Sequence, residues 1–222
     1  MLTIHRRLLA LGGTALAASG ITGLAGGMLH PVVDGQAHSA ASLEASGGPP
    51  AYALLYGGAI LLMVGLPAVT AWLADRVGVL GLVGLTLYFL GNALSAQSHL
   101  VVEGFVAREL AGVPGVVPAD GSIVAAPSFA LLQVIGGLVF IGGVLLTGTA
   151  LMRRGAGIPR WVGAAFVASA VGVLIPLPEA PVLTGLQVEF FEAIGTVGLG
   201  VLAIRAARVP AAAPRREAVP VG

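Results

Sequence analysis

Two short stretches hold nearly all the ionisable groups that lie in or beside apolar runs. In the first, Asn92, Ser95, His99 and Glu103 recur at intervals of three, four and four, which places them on one face of a helix. The second is another apolar run, carrying Gln187, Glu189 and Glu192. A carboxylate inside a membrane span costs about 2.5–3.5 kcal/mol on insertion scales for Asp at a helix centre, so intramembrane ionisable residues default to function. Glu189 and Glu192, at i and i+3, share a face suited to a proton, a cation or a metal ion. The alternative is a pair satisfied by hydrogen bonds to Asn92, Gln133 and Thr196, or one reached by interfacial water. His99 and Glu103, at i and i+4, present two ligand types on one face, as a metal site needs. The same spacing is equally ordinary at an interfacial helix end. His30 and His38 could join as loop ligands, although nothing in their spacing demands it.

The elements that position these residues follow from composition. Hydrophobic residues form 57% of the 222-residue chain and charged residues 9%, with a mean hydropathy of +0.98. A soluble domain carries about 25% charged residues, so this chain cannot cover a globular surface with polar groups. The expected fold is all-α, a polytopic helix bundle embedded in a lipid bilayer. With no cysteine, disulfides, thiolate catalysis and Cys-ligated zinc are excluded. All eleven basic residues are arginine, a coding bias of high-GC bacterial genomes.

Apolar runs predict six transmembrane helices in a single domain over 1–209, at about 8–29, 51–74, 77–101, 128–152, 161–175 and 182–204. A disordered cytoplasmic tail is expected over 210–222. Arg6-Arg7 before the first run resembles a twin-arginine signal peptide, with Ala37-His38-Ser39 as a small-residue cleavage site. The run of about 22 residues and the four-residue spacing of Ala15, Ser19, Gly23 and Gly27 favour a retained span. Residues 30–50 and 107–127 read as polar loops. With the N-terminus in the cytoplasm, ten arginines fall on the cytoplasmic side and only Arg108 on the other. That asymmetry predicts both termini inside the bacterial cytoplasmic membrane. It also accounts for the arginines without nucleic-acid binding.

At 1.5 Å per residue, His99 lies roughly 34 Å beyond Arg76 and Asn92 roughly 24 Å. Counted back from Arg205, Glu189 and Glu192 lie roughly 24 and 20 Å from the cytoplasmic edge. Glu189 and Glu192 should therefore meet Asn92 and Ser95, with Gln133 at similar height and His99 and Glu103 forming the mouth. The expected site is an outward-facing pocket of Glu189, Glu192, Asn92, Ser95, His99, Glu103, Gln133 and Gln187, in which His99 and Glu103 are candidate ligands for an unspecified metal. No cofactor is evident. Gly/Ala-rich helix faces suit packing against a second copy or a membrane partner.

An offset of 79 pairs Tyr56-Gly57-Gly58 with Ile135-Gly136-Gly137, Gly78 with Gly157 and Val83-Gly84 with Val162-Gly163. This suggests a parallel two-helix repeat, as in some transporters. The turn from Gly155 to Gly163, with its Pro-Arg-Trp opening the next span, and the Gly-Leu-Val-Gly run at 81–84 resemble a family of small bacterial integral membrane proteins defined by a domain of unknown function. The resemblance implies a multi-span helical architecture and supplies no activity, cofactor or site residue. Three function classes stand: a binding or transport-assisting protein for a small molecule, lipid or cation; an intramembrane enzyme on lipid-like substrates; and an accessory subunit. The enzyme reading requires His99 and the glutamates to converge.

Overall fold

The computed structural model describes residues 2–117 and 126–209; the tail expected to be disordered lies outside the described residues. Among these residues the regular structure is helical, apart from one isolated antiparallel bridge between Val33 and Gln36. Helix α1 spans Leu2–Leu29. Gly48–Leu110 is one helical stretch, broken at Gly78 (φ 64°, ψ −173°) into α2 (48–77) and α3 (79–110). Only glycine adopts that backbone conformation without steric penalty, and it lets α2 reverse into α3 with no intervening loop. Helices α4 (Pro127–Leu151), α5 (Arg160–Gly172) and α6 (Leu183–Arg208) complete the long helices, beside a short helix at Ala40–Glu44 and a 3-10 turn at Arg154–Ala156. Prolines open α2 and α4 in their first turns, where no backbone N–H is needed.

The six helices close into a ring. Helix α1 packs on α2 and on α6, α3 on α4, α4 on α5, and α5 on α6. Small residues set the approach. The Gly27 backbone meets that of Gly185 between α1 and α6, Gly143 meets the Tyr88 backbone between α4 and α3, and Gly148 faces Gly163 between α4 and α5. A stripe of small residues allows such contact where dispersion between helices, rather than water, drives association. Leu16, Leu66, Leu85, Val144, Phe166 and Leu199, one from each helix, fill the centre together with Tyr88.

Four segments are long and apolar enough to cross a membrane: His5–Leu29, Gly48–Leu110, Pro127–Leu151 and Leu183–Arg208. Only 17% of the most apolar window of α4 is buried within the protein, so the rest of that surface faces outward and suits lipid. Two helices differ in length from the expected spans. The third span was placed at 77–101, yet α3 runs on to Leu110, because Ala107-Arg-Glu-Leu are good helix formers and the first proline after them is Pro114. The fifth span was placed at 161–175, yet α5 stops at Gly172 after 13 residues. At 1.5 Å per residue that is about 20 Å, short of a hydrocarbon layer of about 30 Å.

Candidate functional site

Near its end α3 is wound as a π-helix twice, over Asn92–Gln97 and Val102–Ala107. Such wide turns are rare and concentrate at functional sites. Asn92 is buried and donates from Nδ2 to the Ala59 carbonyl at 3.1 Å, tying α3 to α2. Ser95 and Ser98 are bridged by Gln133 of α4: Ser95 Oγ donates to Gln133 Oε1 at 3.4 Å, and Gln133 Nε2 donates to Ser98 Oγ at 3.0 Å.

One to two turns further on, Glu103 is 1% exposed and surrounded by imidazoles. His30 Nε2 lies 3.0 Å and His38 Nδ1 2.9 Å from Glu103 Oε1, while His99 Nε2 lies 3.3 Å from Oε2. His30 follows directly on α1, and His38 belongs to the loop that returns to α2. The rings meet edge to face, His30 with His38 at 5.4 Å and His38 with His99 at 5.0 Å between centroids. The donor atoms of His30, His38 and Glu103 all lie within 4.8 Å of one another, so this cluster could hold a metal ion. Burial works against a charged imidazole at His38, but the hydrogen bond and charge of Glu103, with the charge of Glu179 behind it, raise its pKa above the ordinary 6.5.

Glu189 and Glu192 form a second polar centre deeper in the ring. Tyr88, fully buried on α3, donates from its hydroxyl to Glu192 Oε1 at 2.5 Å. Glu189 lies against α1, where Gly23 leaves room: a Cβ there would stand 2.9 Å from Glu189 Oε2. Among the described residues no hydrogen bond is made to the Glu189 carboxylate. A cavity of about 450 Å³ joins the two centres, bordered by Glu189, Glu192, Asn92, Gln133, His99 and Glu103. Its remaining wall is largely apolar, with Leu55, Leu62, Phe140 and Val188.

Seven of the eight residues expected in the pocket, all but Gln187, therefore line one cavity. Gln187 points elsewhere, donating to the carbonyls of Gly172 (3.1 Å) and Ile175 (2.5 Å) at the end of α5. It stands two residues before Glu189, about 200° around the helix, on the opposite face. Glu103, expected with His99 at the mouth, is buried there among three histidines. Glu192 was expected level with Asn92 and is instead paired with Tyr88, one turn deeper. Asn92 and Thr196 do not satisfy the glutamates: Asn92 bonds Ala59, and Thr196 Oγ1 bonds the carbonyls of Glu192 and Ala193. Among the described residues no hydrogen bond or ion pair joins His99 to Glu189 or Glu192, although all three line the same cavity.

Three participants were missed or left uncommitted. Tyr88 stands roughly 18 Å beyond Arg76 by the same rise count, close to the roughly 20 Å found for Glu192, and that coincidence was legible. His30 and His38 pair with a residue 73 and 65 positions away, a separation that leaves no local periodicity. Their signal was that three of the four histidines fall on the same side of the expected bilayer. No family model, curated protein or solved structure matches the chain.

Proposed function

We propose that this chain is a six-span bacterial membrane protein whose pocket opens toward the outer face and binds a small amphiphile with a cationic head, such as an alkylamine. One observation carries the reading. A single, mostly apolar cavity of about 450 Å³ ends on a carboxylate, Glu189, to which no hydrogen bond is made among the described residues. Ligand sites pair a predominantly apolar wall with a few placed polar groups. An ammonium brings a positive charge and three donors, which answers the Glu189 carboxyl group, and an alkyl chain answers the walls.

The orientation rests on the arginine asymmetry, ten on one side against Arg108 on the other. Both termini are then cytoplasmic, and the histidine cluster faces outward. Helix α5 counts as a span although it is short, because it packs between α4 and α6 and its apolar run continues through Val173, Leu174 and Ile175. The membership suggested by the Pro-Arg-Trp turn, in a family of small bacterial integral membrane proteins, fits this architecture.

The test is thermal unfolding of the detergent-purified full chain with octylamine, octanol or octanoate. Octylamine should raise the midpoint and the other two should not. Glu189→Gln with Glu192→Gln should fold and lose that response. Equal stabilisation by octanol, or an amine response that survives in the double variant, overturns the reading.

A further inference from the structure

The histidine cluster carries an inference that goes beyond the amphiphile pocket and does not depend on it. We propose that His30, His38, His99 and Glu103 form a binding site for a borderline divalent transition metal of the zinc type, tying the loop after α1 to α3 at the mouth of the pocket.

The first support is the proton count around Glu103. An ionised carboxylate only accepts hydrogen bonds, and a neutral imidazole carries a single N–H. His30 faces an acceptor from both ring nitrogens: Nδ1 lies 3.2 Å from the Pro31 carbonyl and Nε2 3.0 Å from Glu103 Oε1. One N–H serves only one of them. With the proton on Nδ1 and donated to Pro31, two lone pairs confront each other across the remaining contact. A cation between Nε2 and Oε1 resolves that conflict. It also creates the arrangement usual for metal-bound histidine, in which the second ring nitrogen donates to a backbone carbonyl.

Charge is the second support. Among the described residues the ion-pair partners of buried Glu103 are these three imidazoles and no arginine. Geometry is the third. A tetrahedral zinc ion with bonds of about 2.0–2.1 Å holds its ligand atoms about 3.3 Å apart. Two nitrogen-to-oxygen edges, from His30 and His38 to Glu103 Oε1, already measure 3.0 and 2.9 Å, and His99 approaches the other carboxylate oxygen, Oε2, at 3.3 Å. Within the His30, His38 and Glu103 set, whose donor atoms lie within 4.8 Å of one another, only the nitrogen-to-nitrogen edge remains to close. A rotation of the His38 side chain, a third of which is accessible, can supply that movement. The π turn containing Glu103 is the kind of backbone distortion that recurs at functional sites.

The donor set chooses the metal. Three imidazoles and one carboxylate suit zinc and its first-row neighbours, whereas magnesium and calcium prefer six or more oxygens. Four protein ligands describe a closed, structural site. Its role is to fix loop 30–39 across the cavity.

The experiment measures metal content and thermal unfolding of the full chain in detergent after EDTA treatment and dialysis against ZnCl2, CoCl2 or MgCl2. Zinc should be retained at one equivalent per chain and raise the unfolding midpoint, cobalt should develop visible d–d absorption, and magnesium should do neither. Losing an outer-shell partner alone typically weakens a metal site about 10–100-fold, so His38→Gln and His99→Gln should each weaken zinc binding by at least about tenfold. Both residues are partly exposed, so these variants stay informative where Glu103→Gln fails to fold. Glu189→Gln with Glu192→Gln should leave zinc retention intact, which separates this site from the amphiphile pocket. Failure of zinc to be retained, or retention that is unchanged in both histidine variants, overturns the proposal.

Discussion

Replacing Tyr88 by Phe isolates one hydrogen bond. The ring keeps its volume and its edge-to-face contacts with Phe140 at 5.4 Å and Phe166 at 5.9 Å, so no cavity opens. What disappears is the donor 2.5 Å from Glu192 Oε1. In water a hydrogen bond to a charged group is worth about 1.5–3 kcal/mol. Between membrane helices the measured values are smaller, averaging about 0.6 and reaching about 1.7 kcal/mol, because the membrane-embedded unfolded chain also finds partners. The second range applies here, since α3 and α6 separate within lipid or detergent rather than in water. For a chain of this length about 0.6–1.7 kcal/mol corresponds to a fall in midpoint of about 1–7 °C. The assay is unfolding in mixed micelles by SDS titration, run as a double-mutant cycle with Glu192→Met. Methionine fills similar space and accepts no comparable bond, so Tyr88→Phe should cost close to nothing in that background. An equal cost in both backgrounds would refute the pairing as the source of the effect.

Glycine positions should divide sharply by what their missing Cβ would meet. Gly84→Val should prevent normal packing of α3 on α4, because even a Cβ would stand 2.6 Å from the Thr147 backbone nitrogen; Gly142→Ala, with nothing within 4 Å, should be neutral or stabilise by up to about 1 kcal/mol, both read by thermal unfolding. Zinc affinity should fall with acid, as coordinating imidazoles must shed their protons. Because His38 holds its proton above the ordinary 6.5, competition should begin on the alkaline side of 6.5, and isothermal titration at stepped pH measures where it sets in. Gln187→Leu should leave the amine response unchanged while lowering the midpoint by about 1 kcal/mol equivalent, through two lost bonds to the end of α5.

The helices were legible because burying a backbone in lipid demands long apolar runs, and these survive any detail of packing. Gly78 was marked in the sequence only by its 79-residue pairing with Gly157, and its positive φ emerges from the reversal between α2 and α3. The polar stripe of α3 was legible through its period. Its partners were not, because His30 and His38 reach Glu103 through the closure of α1 onto α2, a tertiary event with no local repeat. Tyr88 was hidden by its own chemistry, since a tyrosine within an apolar run reads first as core, and it is core on every side but its hydroxyl. Gln187 was misplaced by grouping along the sequence where angle around the helix decides.

The ring closure of α6 onto α1 has a consequence for biogenesis. Ribosomes deliver the N-terminal segment first, so α1 is in the bilayer long before α6 emerges. Helix α6 is the least apolar of the four candidate spanning segments and carries both glutamates, making it the least able to partition into lipid unaided. The faces that receive it, Gly23 beside Glu189 and Tyr88 beside Glu192, are already synthesised when it arrives. Helix α6 therefore enters a half-built scaffold rather than bare lipid, and the order of the genetic message becomes part of how two buried acids are installed.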